Sequence, residues 1–98
     1  MANLDKFWAF QNQLRGPLPP SWGDDWLYIL DISLNDNQLE GSIPASWGPM
    51  GETLVDFYLQ NNPKLAGCIP TGLEKFQGRP QICAGTQLTC RVCGARRR

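Results

Sequence analysis

Apolar and polar positions along this chain fall into a pattern that occurs three times. LDKFWAFQNQLRGPLPPSWG from Leu4, ILDISLNDNQLEGSIPASWG from Ile29 and LVDFYLQNNPKLAGCIPTGL from Leu54 superimpose at an offset of 25 residues. Each copy opens with apolar residues three and then two positions apart: Leu4, Phe7, Ala9; Ile29, Ile32, Leu34; Leu54, Phe57, Leu59. The last two alternate as a strand does. In Phe7-Trp8-Ala9, Ile32-Ser33-Leu34 and Phe57-Tyr58-Leu59 the outer residues face one side and the middle residue the other. The pattern predicts one strand per unit and, on stacking, a short parallel sheet. A fixed period of this size marks a repeat array, in which each unit buries its apolar face against its neighbours.

Behind each strand stands an asparagine, Asn12, Asn37 or Asn62, where the chain must turn away from the sheet. A buried amide there can bond the loop backbone of its own and the adjacent unit, so these three read as a structural ladder. Next come Leu14-x-Gly16-x-Leu18-Pro19, Leu39-x-Gly41-x-Ile43-Pro44 and, one residue later, Leu65-x-Gly67-x-Ile69-Pro70. Glycine permits a positive φ and proline holds the preceding residue extended, a combination that predicts a turn on the return side. The delay in the third copy comes from Pro63-Lys64, an insertion that a loop tolerates. Trp22, Trp47 and Leu73 occupy equivalent apolar positions and are expected to plug the convex side.

The shared motif LxxLxLxxNxLxGxIP resembles the plant-type leucine-rich repeat of receptor-like kinases, polygalacturonase-inhibiting proteins and related algal proteins, over about residues 4–76. The resemblance implies an α/β-type repeat solenoid, with a short parallel sheet on the concave face and turns, irregular or 3-10 segments on the convex side. It also implies ligand contact through the concave face. Ala9 departs from it, being small where Leu is usual, and the array has three units with no cysteine-containing N-terminal cap. The expected organisation is three repeats over about 4–28, 29–53 and 54–76, a cysteine-bearing cap over 77–93 and a basic tail over 94–98. With an open apolar edge at the first strand, the chain reads as the C-terminal part of a longer array.

Alternation also assigns the outward positions. They are Lys6, Trp8, Phe10 and Gln11 in the first unit, Asp31, Ser33, Asn35 and Asp36 in the second, and Asp56, Tyr58, Gln60 and Asn61 in the third. Across the sheet Trp8, Ser33 and Tyr58 form one column, and Lys6, Asp31 and Asp56 its neighbour. Exposed aromatics beside hydrogen-bonding groups suit protein, peptide and glycan partners, because they bury large area at low entropic cost. The candidate ligand-binding set is therefore Lys6, Trp8, Phe10, Asp31, Ser33, Asn35, Asp56, Tyr58 and Gln60. Trp8 and Phe10 have a competing explanation as the seat of a preceding repeat. Asp31 and Asp56 on adjacent strands resemble a glycosidase pair or a hard-cation site, yet no nucleophile motif, phosphate loop or closed cleft accompanies them.

Composition narrows the function classes. The 98 residues are 42% hydrophobic with no histidine, which removes the commonest general base and metal ligand; neither an enzyme nor a cofactor is expected. Net charge is zero, but Arg91, Arg96, Arg97 and Arg98 supply four of the nine cations, leaving an acidic body before them. That body argues against a nucleic-acid footprint, and the terminal arginines read as a solvated end. No apolar run reaches membrane-spanning length and the first residues do not read as a signal peptide.

All four cysteines, Cys68, Cys83, Cys90 and Cys93, lie at or beyond the last unit. Two disulfides are favoured over a zinc site or free thiols, with Cys68–Cys83 and Cys90–Cys93 the preferred pairing, although four cysteines allow three. Disulfides would place the protein outside the cell or on its surface, and free thiols in the cytoplasm as a scaffold. The expected function is recognition of a peptide, protein or glycan, within a larger receptor-like or inhibitor-like protein.

Overall fold

Two kinds of extended segment alternate along the chain and build two separate parallel sheets. The computed structural model describes residues 5–9, 11–26 and 28–93. Strands β1 (Lys6–Trp8), β3 (Asp31–Ser33) and β5 (Asp56–Tyr58) form the first sheet in that order. Its register is Lys6↔Asp31↔Asp56, Phe7↔Ile32↔Phe57 and Trp8↔Ser33↔Tyr58. Ile32 and Phe57 are buried, as the alternation of apolar positions requires.

The second sheet arises where the motif suggested a turn. Strands β2 (Arg15–Pro17), β4 (Gln38–Gly41), β6 (Lys64–Ile69) and β7 (Gln87–Val92) pair in that order. Each glycine of this segment lies opposite the buried leucine of the following strand: Gly16↔Leu39, Gly41↔Leu65 and Gly67↔Leu88. Gly16, Gly41 and Gly67 all take φ between +81° and +97°, so a side chain there would be strained. The Pro63-Lys64 insertion leaves this glycine-to-leucine register intact.

Between the sheets the chain returns through short helical pieces: α1 (Trp22–Asp25), 3-10 segments at Ala45–Glu52 and Glu74–Phe76, and α2 (Pro80–Cys83). Gly48 and Pro49 inside the longest piece disfavour an α-helix. Gly23 and Gly48 let consecutive return segments touch, because a Cβ on either would run into the carbonyl of Ser46 or Thr71 respectively. The core draws Ile32 and Phe57 from the first sheet, Leu39, Leu65 and Ile69 from the second, and Trp26, Trp47 and Phe76 from the return segments. An aromatic chain runs through it. Phe7 meets Trp22, Trp22 stacks on Trp26 at 4.2 Å and on Trp47 at 5.6 Å, and Trp47 leads through Phe57 to Phe76. The Trp47 indole N–H donates to Pro19 O at 2.8 Å.

These features correct the expected fold class. An elongated α/β solenoid with one concave sheet is not what forms: the body has two parallel sheets, of three and four strands, with few helices. Its radius of gyration is 12.4 Å, close to the roughly 12.6 Å of a compact chain of this length. With three units and a closing segment that folds back on them, the body measures 40 × 27 × 19 Å. The segment after the last unit adds a strand to the second sheet and folds a helix against the first.

That closing segment corrects the cysteine pairing as well. The bridges are Cys68–Cys93 and Cys83–Cys90, with Cα–Cα separations of 5.0 and 5.9 Å. Because β7 runs parallel to β6 with Ile69 opposite Val92, Cys93 is delivered beside Cys68. Cys83 in α2 is left to meet Cys90, which turns with φ of 64°. Two disulfides fit an oxidising environment. At the edge of β5, the Gln81 carbonyl accepts the N–H groups of Leu59 and Gln60, at 2.8 and 3.1 Å. The cap therefore meets both sheets.

Candidate functional site

The first sheet presents one face to the core and the other outward, and the outward face carries eight of the nine candidate binding residues. Phe10 lies outside the described residues. Lys6 and Trp8 are exposed, and Lys6 Nζ sits 5.7 Å from the Trp8 ring centroid. Trp8 is 60% exposed, a large aromatic left open on a sheet surface. Asp31, Asp56 and Tyr58 are half-buried. The register brings Lys6, Asp31 and Asp56 into one column and Trp8, Ser33 and Tyr58 into the next, as alternation predicts.

Ser33 departs from the expectation of exposure. It is 6% exposed, because it occupies the middle strand between Trp8 and Tyr58 and its hydroxyl donates to Asp31 Oδ1 at 3.0 Å. Asn35, Asp36 and Gln60 are half-buried rather than open. Gln11, Asp36 and Asn61, at successive 25-residue offsets, all adopt left-handed φ values of 56° to 63°, which turns the chain off the sheet at the same place in each unit. Asp36 is held there by two amides: Asn35 Nδ2 donates to Oδ2 at 2.7 Å and Asn61 Nδ2 to Oδ1 at 2.8 Å.

At the end of the aromatic column an open depression of about 350 Å³ is lined by Gln11, Ser33, Asn35, Tyr58 and Gln60. The Tyr58 hydroxyl lies 3.5 Å from Asp56 Oδ1. Gln60 Oε1 is shut off from solvent without a hydrogen-bond donor. Asp31 and Asp56 thus hold neighbouring hydroxyls on an open face.

Beneath this face, two asparagines of the ladder brace the strands. Asn37 Oδ1 accepts the N–H groups of Asn12 and Leu14, both at 3.1 Å, and its Nδ2 donates to Ala9 O and Leu34 O, both at 2.9 Å. Asn62 Oδ1 accepts Leu39 N–H at 3.1 Å, and its Nδ2 donates to Leu34 O at 3.0 Å and Leu59 O at 2.9 Å. Asn12, expected to be buried like the other two, is exposed, since among the described residues no strand lies beyond β1.

Sequence reasoning missed an apolar flank. Leu30 and Val55 are 41% and 66% exposed and align through Val55 N–H donating to Leu30 O at 2.9 Å, immediately before the acidic column. Their signal was present: apolar side chains 25 residues apart at a position the motif leaves free. On the second sheet, Arg15, Gln38, Glu40 and Lys64 line a shallow, mixed-charge depression with no aromatic residue. No protein-family model matches the chain, and comparison with curated proteins gives no match.

Proposed function

We propose that this chain is a recognition module that binds a peptide, protein or glycan through the outer face of its three-stranded sheet. The observation that carries the reading is the exposed Trp8 aligned with Tyr58 across a face of carboxylates, hydroxyls and amides. Rigid aromatics flanked by polar groups are what binding hot spots are made of. The repeat motif's resemblance to plant-type leucine-rich repeats supports the same reading, and the proposal includes membership in a larger receptor-like or inhibitor-like protein. Two disulfides favour an extracellular or cell-surface setting over a cytoplasmic scaffold with free thiols.

The test is to immobilise the chain and challenge it with the extracellular fraction of the cells that make it. Material retained by the wild type and lost from the Trp8→Ala/Tyr58→Ala double variant supports the reading. Equal loss from Glu40→Ala on the second sheet would move the binding surface there.

A further inference from the structure

The polar groups and the charges on and around the three-stranded sheet narrow the ligand. None of the five side chains lining the depression is charged. Among them Ser33 donates to Asp31 and Asn35 donates to Asp36, which also takes the amide of Asn61, while Gln11 and Gln60 each add a carboxamide that can both donate and accept. On the acceptor side, Gln60 Oε1 has neither solvent nor a protein donor. A buried carbonyl in that state calls for a hydrogen that the protein does not supply.

What enters has to bring groups that both donate and accept hydrogen bonds, no strong charge and a flat apolar surface for the Tyr58 ring. A sugar ring meets all three conditions, with hydroxyls around its rim and C–H groups on its face. The column adds length, for Trp8 stands two strands from Tyr58, roughly 9–10 Å away. Charge excludes the acidic glycans: Asp31, Asp36 and Asp56 lie on or beside this face, opposed by Lys6 alone in the same columns.

Resting on the recognition reading above, we infer that the ligand is a neutral oligosaccharide. One ring sits in the depression against Tyr58, with its hydroxyls on the carboxamides of Gln11 and Gln60. A second ring packs on Trp8. A cationic peptide would use the carboxylates instead, but Asp36 is already satisfied by two amides and the depression offers no charge.

The experiment titrates the full, oxidised chain with cellohexaose and mannohexaose, with an oligogalacturonide as polyanion and with an oligolysine peptide, followed by calorimetry and amide NMR. The expected result is binding of a neutral hexaose that shifts the amides of Ser33, Asn35, Tyr58 and Gln60 and is insensitive to added salt. Tyr58→Ala should weaken it about tenfold or more, and Gln60→Leu several-fold with the melting temperature preserved. Should Tyr58→Ala also lower the melting temperature, Gln60→Leu decides by itself. Absence of binding by both neutral hexaoses overturns the inference. Salt-sensitive binding of oligolysine at the same amides also overturns it while keeping this face as the recognition surface. Hexaose shifts confined to the second sheet sink both readings.

Discussion

Replacing Asn62 by alanine tests how the two sheets are held together. Asn62 is fully buried, and its side chain serves three backbone groups: it accepts from Leu39 N–H and donates to Leu34 O and Leu59 O. Leu34 O keeps a second donor in Asn37 Nδ2, so the substitution strips the side-chain partner from two groups, Leu39 N–H and Leu59 O. At about 1–3 kcal/mol for each unsatisfied buried group, the expected loss is roughly 2–6 kcal/mol. Asn37→Ala makes the control. Two of the groups it releases, the N–H groups of Asn12 and Leu14, belong to exposed residues that water can reach, and Leu34 O retains Asn62. Its expected cost is about 1–2 kcal/mol. Since about 1 kcal/mol shifts a domain of this size by 4–8 °C, Asn62→Ala should melt roughly 10 °C or more below the wild type and clearly below Asn37→Ala. Urea denaturation of the oxidised proteins gives the free energies directly. The reasoning is refuted if Asn62→Ala is within about 0.5 kcal/mol of wild type, or if Asn37→Ala is the more damaging.

Three further outcomes are expected. Phe57→Ala, which empties a core position, should cost about 3–5 kcal/mol, whereas Tyr58→Ala next to it should barely alter stability; the reverse order in thermal melts would mean that the two faces of the sheet are interchanged. In the chain-entropy picture the Cys68–Cys93 bridge, at a separation of 25, should contribute about 3.5 kcal/mol and the Cys83–Cys90 bridge, at 7, about 2.5, so paired Cys→Ser variants should rank in that order in urea. Backbone N–H groups of Glu74 itself and of Gly72 hold the Glu74 carboxyl below the ordinary glutamate value. Its contribution to stability is then present above the unfolded-state value and lost as pH falls through the folded one; an NMR titration midpoint at or above the ordinary value would remove those bonds from the account.

The strands of the first sheet were legible in the sequence because alternation of Ile32-Ser33-Leu34 and Phe57-Tyr58-Leu59 leaves one register that buries the apolar members. The second sheet was not. Gly41 and Pro44 carry turn signals, and only pairing with neighbouring strands shows that the backbone between Gln38 and Gly41 is extended. The burial of Ser33 depends on what Trp8 and Tyr58 do on either side, a cross-strand fact that no local pattern holds. Cysteine pairing was hidden for a similar reason. Tying the last unit to the cap favoured Cys68 with Cys83 and left Cys90 to Cys93, whereas docking of β7 beside β6 carries Cys93 to Cys68. Within the candidate face the columns were readable, and the 25-residue spacing of Leu30 and Val55 already carried the apolar flank, while the unpartnered Gln60 carbonyl emerged only in three dimensions.

The aromatic chain gives the molecule an optical division of labour. Trp22, Trp26 and Trp47 are stacked with interplanar angles of 24° and 12°, close enough for their excited states to couple into a near-ultraviolet circular-dichroism band that exists only while the return segments are packed. Trp8 stands apart on the exposed face, where contact with water is expected to shift its emission to the red. Red-edge fluorescence therefore reports what arrives at the sheet, and the coupled dichroism reports whether the body beneath it is still folded, in one unlabelled sample.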